Sequence, residues 1–154
     1  MRFVSALGFA LVAGCGPTNP AAEQTPYALE HVRGALVSSV SGDVPFVQVA
    51  GMDTNWIQDG RLVWDARRTR YSIVIRGVVS HSGARQAWQI ADSGSYESSS
   101  WQCNGCMPFR LLSDQHFNPE GEVRFIPDTA YNAATADVYN LAGDGYWVYT
   151  FRRQ

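Results

Sequence analysis

Arg70-Tyr71-Ser72-Ile73-Val74-Ile75-Arg76-Gly77-Val78-Val79 is the most strand-like run in this 154-residue chain. Tyr71, Ile73, Ile75 and Val79 fall on one face at period two, and Val74 and Val78 fall on the other. β-Branched side chains restrict χ1 and fit a pleated backbone better than a helix. Its length and its apolar residues on both faces predict a central strand.

Working outward, the same period recurs. Arg61–Asp65 alternates, with Leu62 and Trp64 on one face. Between them, Arg67-Arg68-Thr69-Arg70 reads as a solvated hairpin tip. Downstream, Ala84–Ala91 reads as a strand around Trp88 and Ile90, and the Ser/Gly-rich Asp92–Ser100 reads as a loop. Strands follow at Phe109–Leu112 and at Glu122–Ile126, where Val123 and Phe125 share a face. Asn132–Thr135 reads as a loop or one helical turn. Ala136–Leu141 and Tyr146–Phe151 flank Ala142-Gly143-Asp144-Gly145, which predicts a hairpin. Upstream, Thr54–Gly60 reads as a loop containing Trp56. Phe46–Val49 reads as a short strand opened by Pro45, Ser41-Gly42-Asp43 as a turn, and Val32–Val40 as extended chain. The sum is an all-β antiparallel sandwich or barrel of about eight short strands. No βαβ alternation is present, which argues against a doubly wound sheet.

The N-terminus has a different character. Arg2 precedes an apolar run from Phe3 to Ala13, followed by Gly14 and Cys15. A charged start, a short apolar core and small residues before a cut site make an export signal, too short to span a bilayer. Val12-Ala13-Gly14-Cys15 resembles the lipobox of bacterial lipoproteins. The resemblance implies cleavage of residues 1–14 and a diacylglyceryl thioether on Cys15, usually with an N-acyl chain such as palmitate. Several acyl chains give firm membrane attachment, which one chain does not. Gly16 after the cysteine leans towards the outer membrane by enteric-type sorting. Residues 15–26, rich in Pro, Ala and Thr, then form a tether. Residues 27–154 form a single β-rich domain.

Composition excludes several classes. The chain has twelve Arg and no Lys, and its net charge is −2. No dense basic run exists to follow a nucleic-acid backbone. Five Trp, seven Tyr and seven Phe suit a small exported β-domain.

Of the three cysteines, lipidation of Cys15 leaves Cys103 and Cys106 as a pair. Export to an oxidising compartment predicts a disulfide between them. Asn104-Gly105 at its centre predicts a tight turn with φ above zero. A dithiol redox role competes, but no helix is predicted to lower a thiolate pKa. A zinc site is not spelled out, although His31, His81 and His116 exist. Asp114 and His116, two residues apart, are the candidate pair for a hydrolase, yet no Gly-x-Ser-x-Gly elbow supplies a nucleophile. Trp64, Trp88 and Trp147 lie in alternating strands and are expected in the core. Trp56 and Trp101 lie in loop-like contexts and are the candidate ligand contacts, by stacking on sugar rings or on a protein partner.

The sequence therefore leads to a lipid-anchored envelope protein with a small binding or structural β-domain. It leans away from catalysis and names no cofactor. A carbohydrate- or cell-wall-binding module is the second expectation. An envelope hydrolase or dithiol enzyme is the third.

Overall fold

Alternation at period two puts Leu62 and Trp64 on the same face as Tyr71 and Ile73, and a hairpin brings those faces together. A computed structural model describes residues 24–34, 40–100, 103–115, 121–127, 133–139, 141 and 147–154. In it the two runs are β4 (Asp53–Asp65) and β5 (Arg70–His81), paired antiparallel along their whole length. β5 also pairs along its whole length with β6 (Ala84–Ser98). The run at Tyr71–Val79 is thus central, as its two apolar faces predict.

The meander continues through β7 (Met107–Ser113), β8 (Gly121–Pro127), β9 (Ala133–Tyr139) and β10 (Trp147–Arg153), each antiparallel to its predecessor. β1 (Gln24–Gly34) then pairs with β10 on one edge and, through Gln24–Ala28, with Arg61–Asp65 of β4 on the other. That second pairing closes an eight-stranded antiparallel barrel. Two short strands are added to it. β2 (Ser41–Asp43) pairs with the upper half of β1, and β3 (Phe46–Ala50) with the upper half of β4. The open choice between sandwich and barrel resolves to a barrel.

Several expected boundaries are corrected. Thr54–Gly60 is not a loop but the first half of β4. A bulge between Ile57 and Asp59 inserts Gln58 and switches the inward positions from odd to even numbers. The same happens in β1 between Leu29 and His31. Tyr27 and Leu29 are buried before the bulge and Val32 after it. β1 (Gln24–Gly34) starts inside the segment read as a tether, and residues 35–39 of the strand expected at Val32–Val40 lie outside the described residues. Asp92–Ser98 is the second half of β6, and residues from Ala133 belong to β9. Ser41–Asp43 is β2. Strands of 11 to 15 residues in β1, β4, β5 and β6 replace the short ones expected.

An eight-stranded barrel has an interior that side chains just fill, or that admits one small ligand. Here one end is filled. Trp64 stacks on Tyr96 at 3.7 Å between ring centroids, and Phe125 meets Trp64 edge-on at 4.7 Å. Phe109 lies 5.3 Å from Tyr96 and 5.9 Å from Phe125, and Tyr27 lies 5.7 Å from Phe125. Ile57, Leu62, Ile73, Ile75, Leu111, Val123, Val138 and Phe151 fill the middle, all essentially without solvent contact.

Phe125 touches three aromatic neighbours in this plug, so truncation leaves a void that nothing nearby can collapse into. Phe125→Ala is expected to lower unfolding free energy by about 3–5 kcal/mol. Urea titration checks it through a reduced midpoint at unchanged slope.

Candidate functional site

At the opposite end the described residues leave space. Asn55 of β4, Val79 of β5, Gln86, Trp88 and Ile90 of β6, and Trp147 and Tyr149 of β10 line an open cavity of about 480 Å³. Its floor is the apolar middle of the barrel. Its wall is low on one side: β7 ends at Ser113 opposite Gly94, so the upper half of β6 pairs only with β5 among the described residues.

Local sequence sets each lining residue. Trp88 stands directly opposite Gly77 in the β5–β6 register. A Cβ built on Gly77 would come within 2.3 Å of the Trp88 ring and 2.4 Å of the Trp56 carbonyl oxygen. The glycine therefore gives the indole room to lie against the wall. Trp88 Nε1 donates to Asn55 Oδ1 at 2.9 Å, which ties the ring to β4. Trp147, at the start of β10, meets Phe46 edge-on at 6.1 Å. Tyr149 is 2 % exposed and closes the base of the cavity.

Among the described residues, the lining contains no carboxylate, imidazole, thiol or guanidinium. It offers aromatic and aliphatic surface with two side-chain amides. Such a surface can hold an apolar molecule.

Deeper on the inward face of β6, Asp92 is 5 % exposed. Its carboxylate accepts from Tyr71 Oη at 2.8 Å and from the Ser113 hydroxyl. Burial, and then the bond to Asp92, push the Tyr71 phenol far above its ordinary value. Asp65, at the far end, accepts from the Arg68 backbone N–H at 3.0 Å. That bond comes first among the influences holding its carboxyl below the usual range.

The residues singled out from sequence are dispersed. Trp56 lies on the outer face of β4, opposite Val47 of β3 and Val78 of β5, and not in a loop. It borders a separate surface hollow of about 300 Å³ with Pro45, Gln58, Val78 and Arg85. The Arg85 guanidinium sits 5.4 Å from the Trp56 ring centroid. A sugar ring stacking on Trp56 would have to share the indole with that cation. Trp101, His116 and Cys15 lie outside the described residues. Cys103 and Cys106 are joined by a disulfide with Cα atoms 5.5 Å apart, and Gly105 has φ of 76°. This bridge sits in the β6–β7 connection at the filled end, away from the cavity. Asp114 is engaged by the Arg70 guanidinium through both carboxylate oxygens. His31 pairs with Asp43 at 2.8 Å, and His81 pairs with Asp53. Among the described residues no three His, Cys, Asp or Glu side chains are grouped to hold a metal.

Trp64, Trp88 and Trp147 were expected in the core. Trp64 is buried there, whereas Trp88 and Trp147 are half-buried, packed against the core's edge and lining the cavity. Asn55 carried no signal, because the bulge at Gln58 disguises its inward position. Comparison with known proteins gives no match: no family profile, curated protein or solved structure matches this chain.

The Tyr71 phenol has a measurable consequence. Its native pKa lies above that of the unfolded chain, so its contribution is intact below about pH 10 and lost as pH rises further. Tyr71→Phe is expected to cost about 1–3 kcal/mol at neutral pH. It should also lose less stability than wild type between about pH 9 and about pH 11.5. Denaturant midpoints at the two pH values measure both effects.

Proposed function

We propose that this protein is a non-catalytic binding barrel, held on the bacterial cell envelope by lipid at Cys15, that takes up a small apolar molecule at its open end. The observation that carries the reading is the aromatic cavity itself. Its volume of about 480 Å³ lies in the 300–1,000 Å³ range typical of small-molecule sites. The filled opposite end gives it a rigid base, so little ordering is needed on binding.

The outer surface supports attachment by lipid over insertion of the barrel. A membrane-spanning barrel presents an apolar belt outward and polar residues inward. This barrel is apolar inside. Its outward faces carry Glu122 bonded to Arg124 at 2.6 Å, Asp137 accepting from Thr150 at 2.6 Å, and Arg33 bonded to Tyr139 Oη at 3.1 Å. The chain enters the barrel at Gln24, opposite Asp65 at the filled end. A lipid on Cys15 would therefore hold the filled end, and the cavity would open away from the anchor.

A protein partner is the second reading, and one observation favours it. The β3–β4 hairpin leaves Val47, Val49 and Met52 exposed, Met52 at 82 %. The glycan reading, centred on Trp56 and Trp101, rests on the surface hollow beside Trp56 alone.

Titration with N-phenyl-1-naphthylamine tests the cavity. Saturable fluorescence enhancement is expected in wild type. Trp147→Ala should weaken it about tenfold by removing aromatic contact, with the far-UV spectrum unchanged. Absence of saturable binding to wild type would sink the reading. The anchor has its own test: labelled palmitate should enter wild type and not Cys15→Ser, and an unlabelled wild type would remove the lipid.

A further inference from the structure

The side-chain amide of Asn55 has only one orientation open to it. The indole Nε1 of Trp88 is a donor and cannot accept. It lies 2.9 Å from Asn55 Oδ1. The oxygen must therefore face the indole, and the Nδ2 group with its two N–H donors is turned elsewhere. Among the described residues nothing accepts from Nδ2. Asn55 belongs to the cavity lining, so its unpaired donors sit in a wall that, apart from the exposed Gln86 amide at the rim, is aromatic and aliphatic.

Two further facts narrow the ligand. Among the described residues no charged side chain lines the cavity, and an ion moved from water onto that lining would lose hydration with no counter-charge from it. The flat surfaces available are the indoles of Trp88 and Trp147, which favour ring systems in offset or edge-on contact. We infer that the cavity selects a neutral, ring-bearing molecule with a carbonyl or ether oxygen, and that Asn55 is the specificity-determining residue that donates to that oxygen. This rests on the binding reading given above and names the ligand chemistry of the same site.

Three related probes separate the parts of the inference: 2-acetylnaphthalene, 2-ethylnaphthalene and 2-naphthoate. They share one ring system and differ in carrying a neutral acceptor, no acceptor, or a charge. Their affinities for the purified full chain are read by quenching of tryptophan fluorescence. The informative quantity is the change in the ketone-to-hydrocarbon affinity ratio from wild type to variant, in which differences in how each probe partitions from water cancel. Asn55→Asp keeps an acceptor for Trp88 and removes the donors. Asn55→Leu removes both. Each is expected to lower the ratio about fivefold, the worth of one hydrogen bond near 1 kcal/mol. Agreement of the two variants separates the lost donors from the added charge and from the orphaned indole. Thermal unfolding confirms that each variant is folded. An unchanged ratio in both overturns the role of Asn55 while leaving a binding cavity. Naphthoate binding as tightly as the ketone overturns the selection of neutral molecules. Failure of all three to bind wild type overturns the cavity reading and this inference with it.

Discussion

Closure of the sheet on itself is the constraint on which the rest depends. Seven strands from β4 to β10 form a simple meander, and the two ends of that meander meet only because β1 pairs with both. β1 and β4 hold together only over Gln24–Ala28 and Arg61–Asp65. Beyond that point each strand has a bulge, at Glu30 in β1 and at Gln58 in β4. Bulges bend a strand and increase its twist, and here the two strands part. The gap is wedged by β2 and β3. The Val44 N–H donates to the Glu30 carbonyl at 2.8 Å, so the wedge is fastened to the bulged residue itself. Phe46 then reaches into the interior and meets Trp147. The width of the mouth follows from how the seam is closed.

Filling is the second constraint. Eight strands enclose little more space than side chains need, so the distribution of large residues decides where space remains. Trp64, Tyr96, Phe109 and Phe125 crowd one end. At the other, inward positions are held by Asn55, Gly77 and Val79, which are small or of middling size. Trp88 is large, but Gly77 lets it lie against the wall. Among the described residues, the difference between a filled and an open end thus comes from side-chain volume on one continuous set of strands.

Much of this was legible in the sequence, and the exceptions share causes. The alternation of Tyr71–Val79 carries the class of fold, and Asn104-Gly105 between two cysteines carries the turn and the disulfide. β1 and the first half of β4 were obscured because a one-residue bulge inverts the parity on which a period-two reading relies. Asp92–Ser98 was obscured by composition. Its serines and glycine mark a loop by propensity, yet Tyr71 and Leu111 on the neighbouring strands hold it in the sheet. The site was less legible than the fold. Alternation says which way Trp88 and Trp147 point and nothing of how near the end of the barrel they sit. Trp56 is outward on a strand, beside Arg85, where its polar and glycine neighbours suggest a loop.

The buried Tyr71–Asp92–Ser113 network bears on how the cavity works. It lies on the inward face of β5, β6 and β7 below the cavity, with a carboxylate held by two hydroxyl donors. A buried polar network fixes its strands in one register, because a slip leaves a carboxylate without partners. That ties β5 to β6 and β7 beneath the point where β6 loses its second neighbour. The upper half of β6 carries Trp88 and Ile90 and would otherwise be an edge free to fray. Anchored below by Asp92 and tied to β4 through Asn55 and Trp88, it can hold an aromatic wall in place, which the binding function proposed above requires. Preformed geometry of this kind cuts the entropic cost of binding. It also makes the Asn55–Trp88 bond serve two ends at once, since the contact that steadies the wall is the one that orients the free amide donors.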